Sequence, residues 1–168
     1  MIVKETGCGM AREDARRLLD CGVSILDTGG AGGTNFPAIE GCRYPEGNRE
    51  LSQWGIPSAL SLLEVVEARG WQKGIIASGG IRTALDVFKA RMLGANAVGM
   101  AGNILRLVQA GGTQEAIDWI RKLLEAVKDF YTLTGCTRED ELRQVRYYFT
   151  GDLAAAVRSF PYGENEFN

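Results

Sequence analysis

The feature that most constrains this chain is a fourfold alternation. A short, nearly continuous apolar segment is followed by small or polar residues and then by a stretch with helical spacing of apolar positions. Residues 2–5, 23–27, 74–78 and 95–100 read as strands, and residues 11–21, 58–69 and 83–92 as helices between them. A short helix over 104–108 and a longer one from 114 to about 134 follow the fourth strand. Strands that are apolar almost throughout need cover on both faces, which is the pattern of a parallel sheet with helices packed outside it. Thr83 is the expected N-cap of its helix, Gly94 the C-cap, and Gly70 the stop of the helix before. Residues 34–50 form a long excursion broken by Pro37, Gly41, Pro45 and Gly47. Beyond Gly135 the reading is a short helix over 137–142, a strand-like stretch over 145–149, and a frayed tail over 161–168.

Four strand-helix units predict an α/β fold that is half of a (β/α)8 TIM barrel, with an open doubly wound sheet as the alternative. Small or polar residues at the C-terminal end of every strand favour the barrel, where a ligand rim lies at that end. At 168 residues, 45% hydrophobic and 24% charged, the chain suits one globular unit over residues 1–160.

Composition narrows the chemistry. Nineteen basic against twenty-one acidic residues, net charge −2, argue against a nucleic-acid or anionic-membrane partner. Cys8, Cys21, Cys42 and Cys136 have neither zinc spacing nor disulfide density, so reduced thiols and a cytoplasmic location are expected. No segment reads as membrane-spanning or targeting. The chain has no histidine, which removes the commonest general base and any Ser-His or Cys-His nucleophile. Chemistry here needs a cofactor or another chain segment.

Residues 78–83, Ser-Gly-Gly-Ile-Arg-Thr, run from a strand into a helix. Two glycines let an anion approach the main chain while free amides and the helix dipole face it, and Arg82 adds a charged donor. Met100, Ala101, Gly102 and Asn103 repeat the arrangement one unit later. Two neighbouring phosphate seats match the site that such barrels build after strands seven and eight, which would make these four strands five to eight. The bland alternative is a pair of tight strand-helix turns.

Lys4 lies in an apolar strand, where a charge pointing into a barrel mouth calls for an anion or an electron-rich ligand, unless its stem reaches solvent. Glu5 points the other way and reads as structural. The run from Asp27 and Thr28 through Gly29, Gly30, Ala31, Gly32 and Gly33 to Thr34, Asn35 and Phe36 suits a loop lying across a flat ligand, or a lid hinge that buries Phe36.

At these residues the chain resembles the type 2, flavin-dependent isopentenyl diphosphate isomerases. The matching elements are Val-Lys-Glu-Thr-Gly at 3–7, Gly-Gly-Thr-Asn-Phe at 32–36, Trp-Gly-Ile-Pro at 54–57, Ala-Ser-Gly-Gly-Ile-Arg at 77–82 and Val-Gly-Met-Ala-Gly at 98–102. The resemblance implies that Lys4 meets the N1 and O2 edge of FMN and that Thr34, with Thr28 as a weaker addition, contacts the cofactor. It places Gly80, Ile81, Arg82, Ala101 and Gly102 around the FMN phosphate and Phe36 beside the substrate. It further implies interconversion of isopentenyl and dimethylallyl diphosphate with reduced FMN, with Mg2+ and NADPH serving the complete enzyme. The family's metal and diphosphate ligands, a His-x-Asn-x-x-Gln-Glu element and basic N-terminal residues, have no counterpart here. The expectation is a cofactor-binding half, inactive alone, that needs the missing N-terminal half barrel. The alternatives are a self-associating half barrel that binds phosphate or FMN without turnover, or another FMN-dependent TIM-barrel oxidoreductase.

Overall fold

The computed structural model describes residues 1–43, 49–69 and 74–159. The expected stop at Gly70, the part of the excursion holding Pro45 and Gly47, and the tail over 161–168 lie outside these residues. Four strands, β1 (Ile2–Lys4), β2 (Ile25–Asp27), β3 (Ile75–Ser78) and β4 (Ala97–Gly99), pair in parallel in chain order with no reversal. The helices are α1 (Arg12–Asp20), α2 (Phe36–Arg43), α3 (Ser58–Arg69), α4 (Ala84–Met92), α5 (Gly102–Leu133) and α6 (Gly151–Ser159), with 3-10 turns at Arg49–Gln53 and Glu139–Gln144. Gly112, at φ 78°, breaks α5 into the short and long helices expected there.

Strand side chains alternate between the two faces. On one face Val3, Leu26, Ile75, Ala77 and Val98 pack with Ala15, Leu62, Val65, Val66 and Ala90 of the helices. Ile2, Ile25, Ile76 and Ala97 alternate with them on the opposite face, against which none of the described helices packs, and Ile2 stays 59% exposed. A second cluster seats Phe88 and Met92 of α4 on Cys136, Leu142, Phe130 and Tyr131, with the Phe88 and Phe130 rings stacked 5.5 Å apart.

Local signals explain most boundaries. Thr83 caps α4 as expected: its side chain accepts from the Asp86 amide and the Asp86 carboxylate answers, a reciprocal capping box. The C-cap is Leu93, and Gly94 supplies the positive φ of 107° just beyond it.

Two expectations need correction, and one helix is new. The excursion over 34–50 contains α2, because Asn35 Oδ1 accepts the Ala38 amide at 2.8 Å and Pro37 falls in the first turn, where a missing N–H costs nothing. Residues 145–149 form no strand, since Val145 and Tyr147 pack into the Phe88 cluster instead of pairing. Helix α6 was not expected. Among the described residues no helix is long and apolar enough to cross a membrane.

Candidate functional site

The last residues of the four strands, Lys4, Asp27, Ser78 and Gly99, share the helix-free face. Lys4 Nζ donates to Asp27 Oδ2 and to Ser78 Oγ, each at 2.8 Å, and the Ser78 hydroxyl donates in turn to Asp27 Oδ1. The anion expected opposite Lys4 is therefore present within the chain. Asp27 and Ser78 are buried, whereas the Lys4 side chain is 53% exposed. Gly99 leaves Ser78 its space, for a Cβ at 99 would stand 3.0 Å from the Ser78 Cβ.

Above this floor opens a cleft of about 640 Å3, within the range of small-molecule sites. Of the residues singled out in the sequence, Lys4, Thr34, Gly80, Ile81, Arg82, Ala101, Gly102 and Phe36 all line it. Phe36 is 51% exposed rather than buried. Thr28 stands apart: it is fully buried, and its Oγ1 accepts from the Ser78 amide at 3.3 Å, supporting the floor from behind.

The glycine run is shaped by close backbone packing as well as by the cleft. A Cβ on Gly30 would strike Ser58, and one on Gly80 would strike the Gly32 carbonyl oxygen. Asn35, one of the two expected ligand donors, spends its side chain on capping α2 and on donating to Ser52 O at 2.6 Å. Glu5 is structural, as expected. Its Oε2 accepts the amides of Gly7, Cys8 and Gly9 at 2.6, 2.7 and 2.8 Å. Burial works against its charge, but these N–H bonds together hold its carboxyl below the usual value.

The two phosphate seats differ from each other. At the first, the amides of Arg82 and Thr83 donate to Asp86 Oδ2, so they are not free for an anion as expected. At the second, Ala101 makes no side-chain cap bond to the start of α5, and a Cβ on Gly102 would meet nothing within 4 Å. Asn103 Nδ2 donates to Arg82 O at 2.9 Å and ties the seats together. The Arg82 guanidinium donates to Gly32 O at 3.2 Å, and Arg106 reaches Gly102 O and Asn103 Oδ1 at 3.2 and 2.5 Å. Two guanidinium groups beside an open, uncapped helix start fit a phosphate-bearing ligand.

Sequence reading did not name Arg106, and it named Asp27, Ser78 and Asn103 only as members of the glycine run and of the two seats, without a role of their own. Arg106 was findable, because it lies one helical turn beyond Gly102. Among the described residues no group of three or more His, Cys, Asp or Glu is placed to hold a metal ion.

A parallel α/β fold with a cleft at its strand ends has known relatives. The chain belongs to the FMN-dependent dehydrogenase family, whose model matches residues 1–148. It is similar to the isopentenyl-diphosphate delta-isomerases of Bacillus licheniformis (43% identity over 152 residues, 90% of this chain and 43% of the relative) and Bacillus pumilus (43% over 154 residues, 92% and 43%). The resemblance read from the motifs is thereby borne out. The chain spans less than half the length of these relatives. Among solved structures it is similar to a mandelate oxidase mutant with (S)-mandelic acid, at a TM-score of 0.68 and 27% identity over 89% of this chain and 39% of that one.

Proposed function

We propose that residues 1–160 form strands five to eight of a (β/α)8 barrel and hold the phosphate and ring edge of FMN in an enzyme that interconverts isopentenyl and dimethylallyl diphosphate. The observation that carries this reading is the meeting of Lys4, Thr34, Gly80, Arg82, Ala101 and Gly102, drawn from all four strand ends, around one cleft. An unreversed strand order and an apolar sheet face without helices support the barrel, since an open doubly wound sheet reverses its order at the ligand site and covers both faces.

In this reading Arg82 and the start of α5 hold the phosphate. Lys4 donates to the ring edge near N1 and O2, Thr34 adds a contact, Thr28 backs the floor, and Phe36 flanks the substrate. Bound in its reduced form, FMN supplies the proton-moving chemistry that a chain without histidine lacks. Mg2+, the substrate diphosphate and NADPH belong to the complete enzyme in the cytoplasm, and the metal ligands lie on its other half. The apolar face of Ile2, Ile25, Ile76 and Ala97 then closes against that N-terminal half, and this polypeptide alone is inactive.

The test is titration of the chain with FMN and riboflavin, followed by gel filtration and by mixing with the missing half. FMN binding that weakens about tenfold in Arg82→Ala, with riboflavin unaffected, supports the phosphate site. Lys4→Ala should weaken both flavins. Isomerase turnover only in the reduced, reconstituted mixture supports the activity. A flavin-free chain, or a self-paired chain that binds FMN but gives no turnover with a folded partner half, overturns it.

A further inference from the structure

We propose that Asp27 and Ser78 are positioning residues for Lys4: they fix its ammonium so that one N–H is left for the flavin ring edge, and Asp27 offsets part of the charge delivered there. The inference rests on the FMN reading above.

A half-exposed lysine on a four-carbon stem ordinarily samples many rotamers, and fixing it costs conformational entropy. Here the stem ends in two 2.8 Å bonds to groups that are themselves buried. Asp27 sits on the neighbouring strand in register with Lys4, and both of its oxygens are engaged: Oδ2 by Lys4, Oδ1 by the Ser78 hydroxyl and by the Gly29 amide at 3.3 Å. The Ser78 hydroxyl has a single proton, which goes to Asp27, so its lone pair is left to receive Lys4. The network therefore has one direction only. An ammonium carries three protons; two are committed, and the third is available to the cleft that Lys4 lines.

Two charges of opposite sign thus lie behind the predicted ring edge, the lysine nearer and the carboxylate farther. A reduced flavin gains electron density along that edge. Lys4 favours it, and the Asp27 charge works against it. The two supporting residues consequently make opposite predictions. Ser78→Ala keeps both charges and releases the lysine from one anchor, so reduced FMN loses affinity relative to oxidised FMN. Asp27→Asn retains an oxygen for Lys4 and removes the opposing charge, so reduced FMN gains.

The experiment measures oxidised-FMN affinity by flavin fluorescence and the bound midpoint potential by dye equilibration, on the full chain and both variants, with far-UV circular dichroism to verify folding. The expected result is a relative loss of about fivefold in Ser78→Ala and a gain of about tenfold in Asp27→Asn, the latter about 30 mV upward for a two-electron couple. General damage to the floor would move both variants the same way. Shifts of equal sign, unchanged potentials, or loss of all flavin binding in both folded variants overturn the proposal while leaving the FMN reading intact. A wild-type chain that binds no FMN overturns both.

Discussion

The main-chain amide of Arg82 donates to Asp86 Oδ2 at 3.1 Å, so a carboxylate of the chain itself sits where a helix start would otherwise offer its amide to an anion. Burial works against the charged Asp86 carboxyl, but the bonds from Thr83 and Arg82 hold it below the usual value. This stabilises α4 and at the same time places negative charge beside the proposed phosphate. Asp86→Ala should therefore lower stability by about 1 kcal/mol through loss of the cap. It should also tighten FMN about threefold by removing a like charge at the helix start. Thermal melts and flavin titrations check the pair, and effects of the same sign would show that Asp86 does no more than fold the helix.

Arg106 lines the cleft one helical turn beyond Gly102 on α5, where its charge would face the proposed phosphate. It is exposed, which limits the worth of its contact, so Arg106→Ala should weaken FMN by about fivefold and leave the melting temperature nearly unchanged. Riboflavin, which lacks the phosphate, serves as the control. An equal loss for both flavins would place Arg106 at the ring rather than at the phosphate.

How far the sequence could be read depended on how far apart the interacting residues lie. Helix α3 and the Thr83 cap follow from signals within one or two turns, as do the strands, and all were legible. The cleft lining was legible because glycines at strand ends announce close approach of a ligand or of another backbone. What escaped was long-range. Asp27 looked like an ordinary strand terminus, and its partners Lys4 and Ser78 lie 23 and 51 residues away. Pro37 read as a breaker because its place inside the first turn of α2 depends on the Asn35 cap. The stretch over 145–149 has the alternation of a strand, yet Val145 and Tyr147 are taken up by the Phe88 cluster.

Two glycines of the cleft separate folding from binding. Gly80 has φ 75°, and its Cβ would meet the Gly32 carbonyl oxygen, so Gly80→Ala should cost about 2 kcal/mol or more through left-handed strain and steric displacement. Gly102 has open space around it and stands at a helix start, so Gly102→Ala should fold as well as the parent. Its methyl group would nevertheless occupy the space beside the uncapped amides and weaken FMN about tenfold. Denaturant unfolding alongside FMN titration checks the contrast. A destabilised Gly102→Ala, or one with parental affinity, would move the phosphate away from α5.

The last prediction concerns acid. Glu5 closes the loop that carries Thr6 and Gly7 into the cleft, through three amide bonds to one carboxylate oxygen. Burial raises its proton affinity, but the bonds from Gly7, Gly9 and their neighbours outweigh it, and the folded carboxyl titrates below its ordinary value of 4.5. The unfolded chain takes up a proton near that ordinary value while the folded chain does not yet do so. Between the two values the unfolded state binds more protons, and stability rises with pH. The contribution is fully present above the ordinary value and is lost as pH falls through the depressed one. Glu5→Gln lacks this charge, so it should be less stable than the parent at neutral pH, and the gap should close on acidification below about pH 5. Denaturant midpoints of both chains between neutral and acid pH measure that gap. A gap that stays constant or widens toward acid would mean that the shape of the side chain, and not its charge, closes the loop.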